Sequence, residues 1–549
     1  MVRVGIKYLE IIDIRRKFDI MAAIQKTFDS GDYKMGHKSI SRREFIKQAS
    51  GVGLGLTLPG LSSCEKESTS KRPNILFIFP DQLRAQALGY NGETNITTPH
   101  IDKLASEGLV FSNAISTCPI CTPYRGMLQS GRYPTHSGII INWVDPILKD
   151  VWLADLFHNG GYKTGFIGKW HLNAGYLRTI GKTQDGKQMH GEKNPGFNDP
   201  ANTTEFVPPG PYRKGYEFWA AYNFHVNFKK NSYYYRDTAE KLYYRNYETD
   251  GEIDIAIEFM EDCREKNEPF FLMVAPHPPH NPWGSKDVPD GYMEKVKKDL
   301  DKRPNVKGDM VPTEHLKDGW DARAYFAMIK NVDDNVGRLM KYLKESGLDE
   351  NTIVVFTADH GEMLGSQGRT YKMVPYAESV DVPLIFYWKN RIKAGRKSKS
   401  LYAPIDHMPT LLSLAGLKVP DFADGMDQSH VVLGRAGPER QDSLMMLYTS
   451  HWDFCETRAP WPEWRGVKTK KYSYVKWIDG SEELYDNISD PYQMTNLVSK
   501  EKSKDTLMQL RERLQALLKH ADDDFRPGTD YIDWFDDERK IVRTALGPI

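Results

Sequence analysis

Cysteine is scarce in this chain. Five cysteines in 549 residues are too few for a disulfide scaffold. No sign of charge dominates either: Lys+Arg and Asp+Glu are both 74, so no global field points to nucleic acid. Long apolar runs are missing as well. The best candidate, Ala49 to Leu61, is short and carries four glycines and a proline, which excludes a stable membrane span. No internal repeat or low-complexity tract stands out. What remains is a long chain, 40% hydrophobic and 12% aromatic, able to bury a large core and to hold two domains.

The N-terminus reads as an address rather than as fold. Ser41-Arg42-Arg43-Glu44-Phe45-Ile46-Lys47 looks like a twin-arginine export signal. The apolar run after it ends in Leu61-Ser62-Ser63-Cys64, which resembles a lipobox with Cys64 as the lipidated residue. Residues 1–34 precede this signal oddly, and Met35 is a natural alternative start. The expectation is an exported protein, periplasmic or at the cell surface, that uses the twin-arginine translocase and meets the membrane only through a lipid anchor. A polar linker, Ser68 to Pro73, follows.

Beyond it, short apolar runs read as buried parallel strands: Asn74–Phe79, Thr164–Ile167, Phe270–Ala275, Thr352–Thr357 and Pro383–Tyr387. Helical patterns alternate with them at Ile101–Glu107, Val151–His158, Ile253–Cys263 and Tyr325–Ser346. This order predicts an α/β fold with a large, mostly parallel sheet flanked by helices. Polar motifs fall just after the strands, where open α/β sheets place their sites. After about Met426 the pattern changes. Trp464–Val475 alternates like a hairpin, and Leu507–Lys519 reads as a terminal helix. The expected organisation is a leader and linker over 1–72, a catalytic domain over 73–430, and a C-terminal subdomain over 431–549 with a smaller antiparallel sheet and a terminal helix.

Cys118 and Cys121 form a C-x-x-C pair, and taken alone that means a redox couple or half a zinc site. Neither a thioredoxin-like pattern nor a second cysteine pair supports those readings. Cys263 and Cys455 have no evident task beyond being buried thiols. The surroundings of Cys121 say more. Cys121-Thr122-Pro123-Tyr124-Arg125, followed by Gly126, Leu128 and Gly131, resembles the maturation signature of the type I sulfatases. The resemblance implies an alkaline-phosphatase-like fold. It also implies that a formylglycine-generating enzyme oxidises Cys121 to Cα-formylglycine, whose hydrate attacks sulfur and then collapses to release sulfate. One departure is Tyr124, where the family usually has a small residue.

The resemblance extends along residues 74–497. Asp81, Gln82, Asp359 and His360, with matured Cys121, resemble the family's metal shell. Hard oxygen ligands suit Ca²⁺ first and Mg²⁺ second. Alone, Asp81-Gln82 would be an ordinary helix cap. Arg125 is expected to hold the site's geometry, Lys169 and Lys372 to neutralise sulfate oxygens, and His171 to orient the nucleophile. His280, in Ala275-Pro-His-Pro-Pro-His-Asn-Pro282, is expected to be the acid, with His277 a weaker substrate contact. Asp359 is expected to act as base. The aromatic segment Tyr216–Tyr247 is expected to form a sugar-recognition wall, with Trp219 and His225 as preferred contacts. These expectations together describe hydrolysis of a sulfated carbohydrate. Two rivals share parts of the pattern: a formylglycine-dependent phosphonate or phosphodiester hydrolase, and a non-catalytic binder of sulfated glycans.

Overall fold

A computed structural model describes residues 72–175, 205–449 and 463–549. The leader with Arg42, Arg43 and Cys64 lies outside the described residues, as does Cys455. Eight strands form the main sheet: β1 (Asn74–Ile78), β2 (Leu109–Ala114), β3 (Lys163–Lys169), β4 (Phe218–Tyr222), β5 (Phe270–Ala275), β6 (Thr352–Phe356), β7 (Ile385–Trp388) and β8 (Arg396–Tyr402). Their order is β8-β2-β7-β6-β1-β5-β3-β4. Only β7 runs against its neighbours. The remaining pairs are parallel. The expected mostly parallel sheet is therefore present.

The central strands are apolar along their whole length because both faces are covered. Every residue of β5 and of β6 is buried. The helices α1 (Pro99–Glu107), α2 (Cys121–Ser130), α3 (Leu153–Asn159), α4 (Glu248–Lys266) and α5 (Ala322–Glu345) flank the sheet. Among the described residues, no helix is long and apolar enough to cross a membrane.

Register decides where the site lies. Ile78 of β1 pairs with Val274 of β5 and Phe356 of β6, and Ile167 of β3 also pairs with Val274. The four strands thus end level. Asp81, Lys169, His277 and Asp359 sit at or just past these ends, so one edge of the sheet gathers them.

A second sheet is antiparallel: β9 (Asp442–Leu447), β10 (Trp464–Thr469), β11 (Tyr472–Trp477) and β12 (Glu482–Asp486), in that order. The terminal helix α6 (Lys504–His520) packs on it. The alternating Trp464–Val475 run is the β10–β11 hairpin. This small sheet buttresses two loops that carry site residues. Met446 N–H donates to the Thr117 carbonyl (2.8 Å), behind Cys121. Trp464 Nε1–H donates to the Met373 carbonyl (3.2 Å), beside Lys372.

Candidate active site

Cys121 opens α2, and Arg125 follows one turn later on the same face. The Arg125 guanidinium reaches back under the strand ends. It donates to Asp359 Oδ2 through Nε (3.3 Å) and to Asp81 Oδ2 through Nη2 (3.0 Å). Nη1 donates to the Lys169 carbonyl (2.5 Å). Lys169 Nζ adds a bond to Asp81 Oδ2 (2.6 Å). The cations therefore occupy the Oδ2 atoms and leave both Oδ1 atoms facing one point. Asp81, Cys121, Asp359 and His360 each offer a ligand atom there, all within 4.8 Å of one another.

His360 is oriented for the same point. Its Nδ1 lies 3.1 Å from the Gly361 carbonyl, which assigns the proton to Nδ1. Nε2 then faces Cys121 Sγ (3.2 Å) and Asp81 Oδ1 (3.7 Å) as an acceptor. Two carboxylate oxygens and an imidazole with its other nitrogen anchored to backbone form a donor set that fits a divalent cation. Gly361 is needed beside it: a Cβ there would meet the Glu378 carbonyl at 2.0 Å.

The strand exits are conformationally unusual. Gln82 (φ 64°) and His171 (φ 52°) lie in the left-handed region, as do Tyr371 (φ 68°) and Met373 (φ 75°), which flank Lys372. Such backbones cost energy in non-glycine residues and cluster at functional sites. Gln82 N–H donates to Asp359 Oδ1 (3.0 Å), tying the exit of β1 to that of β6. Tyr124, the departure from the family pattern, is buried and bonded to Thr357, so its bulk points into the core.

Above the carboxylates sits a ring of nitrogen groups. His277 Nε2 accepts from Lys169 Nζ (3.1 Å) and His280 Nε2 accepts from Lys372 Nζ (3.1 Å). His280 Nδ1–H donates to the Asn281 carbonyl (2.7 Å). Among the described residues, neither ring nitrogen of His171 has a hydrogen-bond partner, although the side chain is buried. A buried imidazole of this kind is suited to a polar ligand.

Charge is uneven in the site. Burial pushes the Asp81 carboxyl up, but the neighbouring Lys169 and Arg125 outweigh it and hold the group well below the usual carboxylate range. Burial and Asp81 oppose ionisation of the Cys121 thiol, yet Lys169 and Lys372 leave it lowered. Burial first, then the neighbouring lysines, lower His280 and keep it neutral; burial and Lys169 do the same for His277 and His171. Cys118, three residues before Cys121, is different. Burial pushes its thiol up to about 12, which leaves an inert partner and no redox pair.

The structure buries the two preferred contacts of the expected sugar wall. Trp219 lies on β4 and is only 2% exposed, stacked 5.5 Å from Phe166 and edge-on to Trp170 at 5.2 Å. His225 is fully buried. It donates from Nε2 to the Tyr233 carbonyl (2.9 Å) and stacks on Tyr222 (3.8 Å), and burial pushes it down to about 3. Neither side chain faces a substrate. Two of the tyrosines meet buried acceptors: Tyr222 donates to Glu248 (2.6 Å) and Tyr216 to Gln129 (3.0 Å). Trp219→Ala should lower stability by about 3–5 kcal/mol, as large-to-small core changes do. Urea unfolding measures it, and an unchanged midpoint with altered substrate preference would restore the wall.

Two residues were not singled out as site residues. Phe224, only one of many in the aromatic segment, covers the site: its ring lies 4.8 Å from His171, 5.2 Å from His277 and 4.7 Å from Lys169 Nζ. Trp143 meets both Phe224 (5.0 Å) and His171 (4.5 Å) edge to face.

A family model described as Sulfatase matches residues 73–417. The chain belongs to the sulfatase family. A second model, N-sulphoglucosamine sulphohydrolase C-terminal, matches residues 365–520. This sulfatase is 30% identical to the "ulvan-active sulfatase" of Formosa agariphila, over 86% of each chain. It is also 30% identical to an "endo-4-O-sulfatase" of Bacteroides thetaiotaomicron, over 85% of this chain and 97% of that one. A solved structure from B. thetaiotaomicron, described with the metabolism of multiple glycosaminoglycans, superposes with a TM-score of 0.70 at 27% identity, covering 84% and 98%. The chemistry of this chain is the hydrolysis of sulfate esters.

Proposed function

We propose that this sulfatase removes sulfate from a sulfated carbohydrate, with Cys121 matured to formylglycine as the nucleophile. One observation carries the reading: Asp81, Asp359, His360 and Cys121 converge on one point beneath a rim of Lys169, Lys372 and His280. The names of the relatives, ulvan-active and endo-4-O-sulfatase, support a polysaccharide substrate. Asp81, Asp359 and His360 would hold a divalent cation, Ca²⁺ before Mg²⁺, with Gln82 beside them. Such an ion lowers the charge cost of bringing a nucleophile to an anionic ester.

The chain's own groups divide the remaining work. Arg125 fixes both carboxylates through their Oδ2 atoms, so that their Oδ1 atoms converge. Lys169 and Lys372 offset charge on the transferring sulfuryl group. Asp359 takes the proton of the attacking hydroxyl. His280 serves the leaving oxygen as acid. It is neutral without substrate, and the negative charge of a bound sulfate ester favours its taking up a proton from solvent while Lys372 keeps its own. His171 orients the nucleophile and His277 contacts sulfate.

Defined sulfated mono- and oligosaccharides, assayed for released sulfate with and without chelator, test this. Sulfate release that chelator removes and Ca²⁺ restores is expected. Turnover confined to phosphonates or phosphodiesters, or full activity in metal-free protein, would refute it. We further propose export by the twin-arginine route and lipid attachment at Cys64, supported by the leader sequence. Cys64→Ala should shift the protein from the membrane to the soluble fraction, and unchanged fractionation would count against the anchor.

A further inference from the structure

Glu362 is fully buried, and no step above uses it. All of its bonds are accepted ones. Oε1 accepts from the backbone N–H of Leu364 (2.9 Å) and of Tyr371 (2.7 Å). Oε2 accepts from Gln82 Nε2 (2.7 Å). That last bond decides which way the Gln82 amide points. With Nε2 committed to Glu362, Oε1 faces Lys372 Nζ at 2.5 Å. Lys372 then donates to His280 Nε2 (3.1 Å), and His280 Nδ1–H to the Asn281 carbonyl (2.7 Å). Donor and acceptor roles are fixed at every link. A reversed Gln82 amide would set its NH₂ against the Lys372 ammonium. Glu362 also holds Lys372 through the backbone, because it bonds the N–H of Tyr371 in its left-handed conformation.

We infer that Glu362 is a positioning residue, which sets the amide of Gln82 and through it aims the Lys372 ammonium and the His280 imidazole into the sulfate site. This rests on the reading of that site given above. Its role is to supply acceptors only. A carboxylate does this and a carboxamide cannot. In Glu362→Gln, the one remaining oxygen stays with the two backbone N–H groups. The new NH₂ faces Gln82, whose amide must turn over and present its own NH₂ to Lys372. The paired change Glu362→Gln with Gln82→Glu moves the carboxylate along the chain of bonds. The amide at position 362 then donates to the carboxylate at position 82, whose other oxygen accepts from Lys372.

Calorimetric titration of inorganic sulfate into the purified wild-type chain, the single variant Glu362→Gln and the double variant tests this. The single variant should bind sulfate about 10-fold more weakly or worse, the worth of one charge-assisted bond. The double variant should recover most of that loss, and a purely structural role for Glu362 predicts no such recovery. Wild-type affinity in Glu362→Gln would overturn the inference. So would a double variant no better than the single one, or a wild-type chain that binds no sulfate. If Glu362→Gln does not fold, the double variant decides alone: folded and sulfate-binding supports the role, and unfolded or non-binding overturns it. Sulfate binding needs no turnover. Loss and recovery in a chain that hydrolyses no sulfate ester would therefore sink the sulfatase reading and leave the role of Glu362 standing.

Discussion

Cys121→Ala should abolish sulfate release, by about ten-thousand-fold or more, the scale seen when a catalytic nucleophile is removed. The fold should survive. Cys121 is small and only 2% exposed, and its Sγ contributes long contacts: 3.2 Å to His360, 3.7 Å to Lys169 and 3.8 Å to Asp81. None of these ties distant elements that Arg125 does not already tie. The urea midpoint should therefore move little while turnover disappears. Peptide mass spectrometry on wild-type protein, expressed with a maturation enzyme, should find the aldehyde at position 121. An active enzyme carrying an intact thiol there would sink the assignment.

The sequence carried the frame of this molecule because the frame follows from periodicity. Strands buried on both faces must be apolar throughout, and Phe270–Ala275 could hardly be read otherwise. The site was legible for a related reason. Asp81, Lys169, His171, His277 and Asp359 sit at or just past strand ends, and level strand ends bring these together. Trp219 and His225 were misread because composition does not reveal facing. An aromatic segment rich in hydroxyls fits a wet wall or a core equally well until its acceptors are known. Here those acceptors are buried side chains such as Glu248, which reads in sequence only as an acidic residue in the first turn of a helix. Glu362 was missed because its partner, Gln82, is 280 positions away. Local pattern holds no signal for such a bond.

Arg125→Ala should be the most destabilising change in the site, by about 3–5 kcal/mol, the usual result of stranding buried charges. The guanidinium is 1% exposed and the two carboxylates it joins are fully buried. Lys169 still pairs with Asp81, but Asp359 keeps only backbone N–H partners and the distant imidazole edge of His360. Arg125→Lys should recover little. An ammonium is a point donor and cannot span Asp81, Asp359 and the Lys169 carbonyl at once. The sign of the pH dependence follows from Asp81. Its folded pKa is depressed, so its ionised form contributes stability above the unfolded value of about 4 and loses it as pH falls through the lower folded value. Arg125 is part of that depression. The gap in urea midpoint between wild type and Arg125→Ala should accordingly be full near neutrality and close as the medium is acidified below about pH 4. A gap that stays constant with pH would mean that Arg125 acts by packing against Phe79, 5.0 Å from its guanidinium, and not by holding charge. An unchanged midpoint at neutral pH would mean that the two carboxylates do not need it.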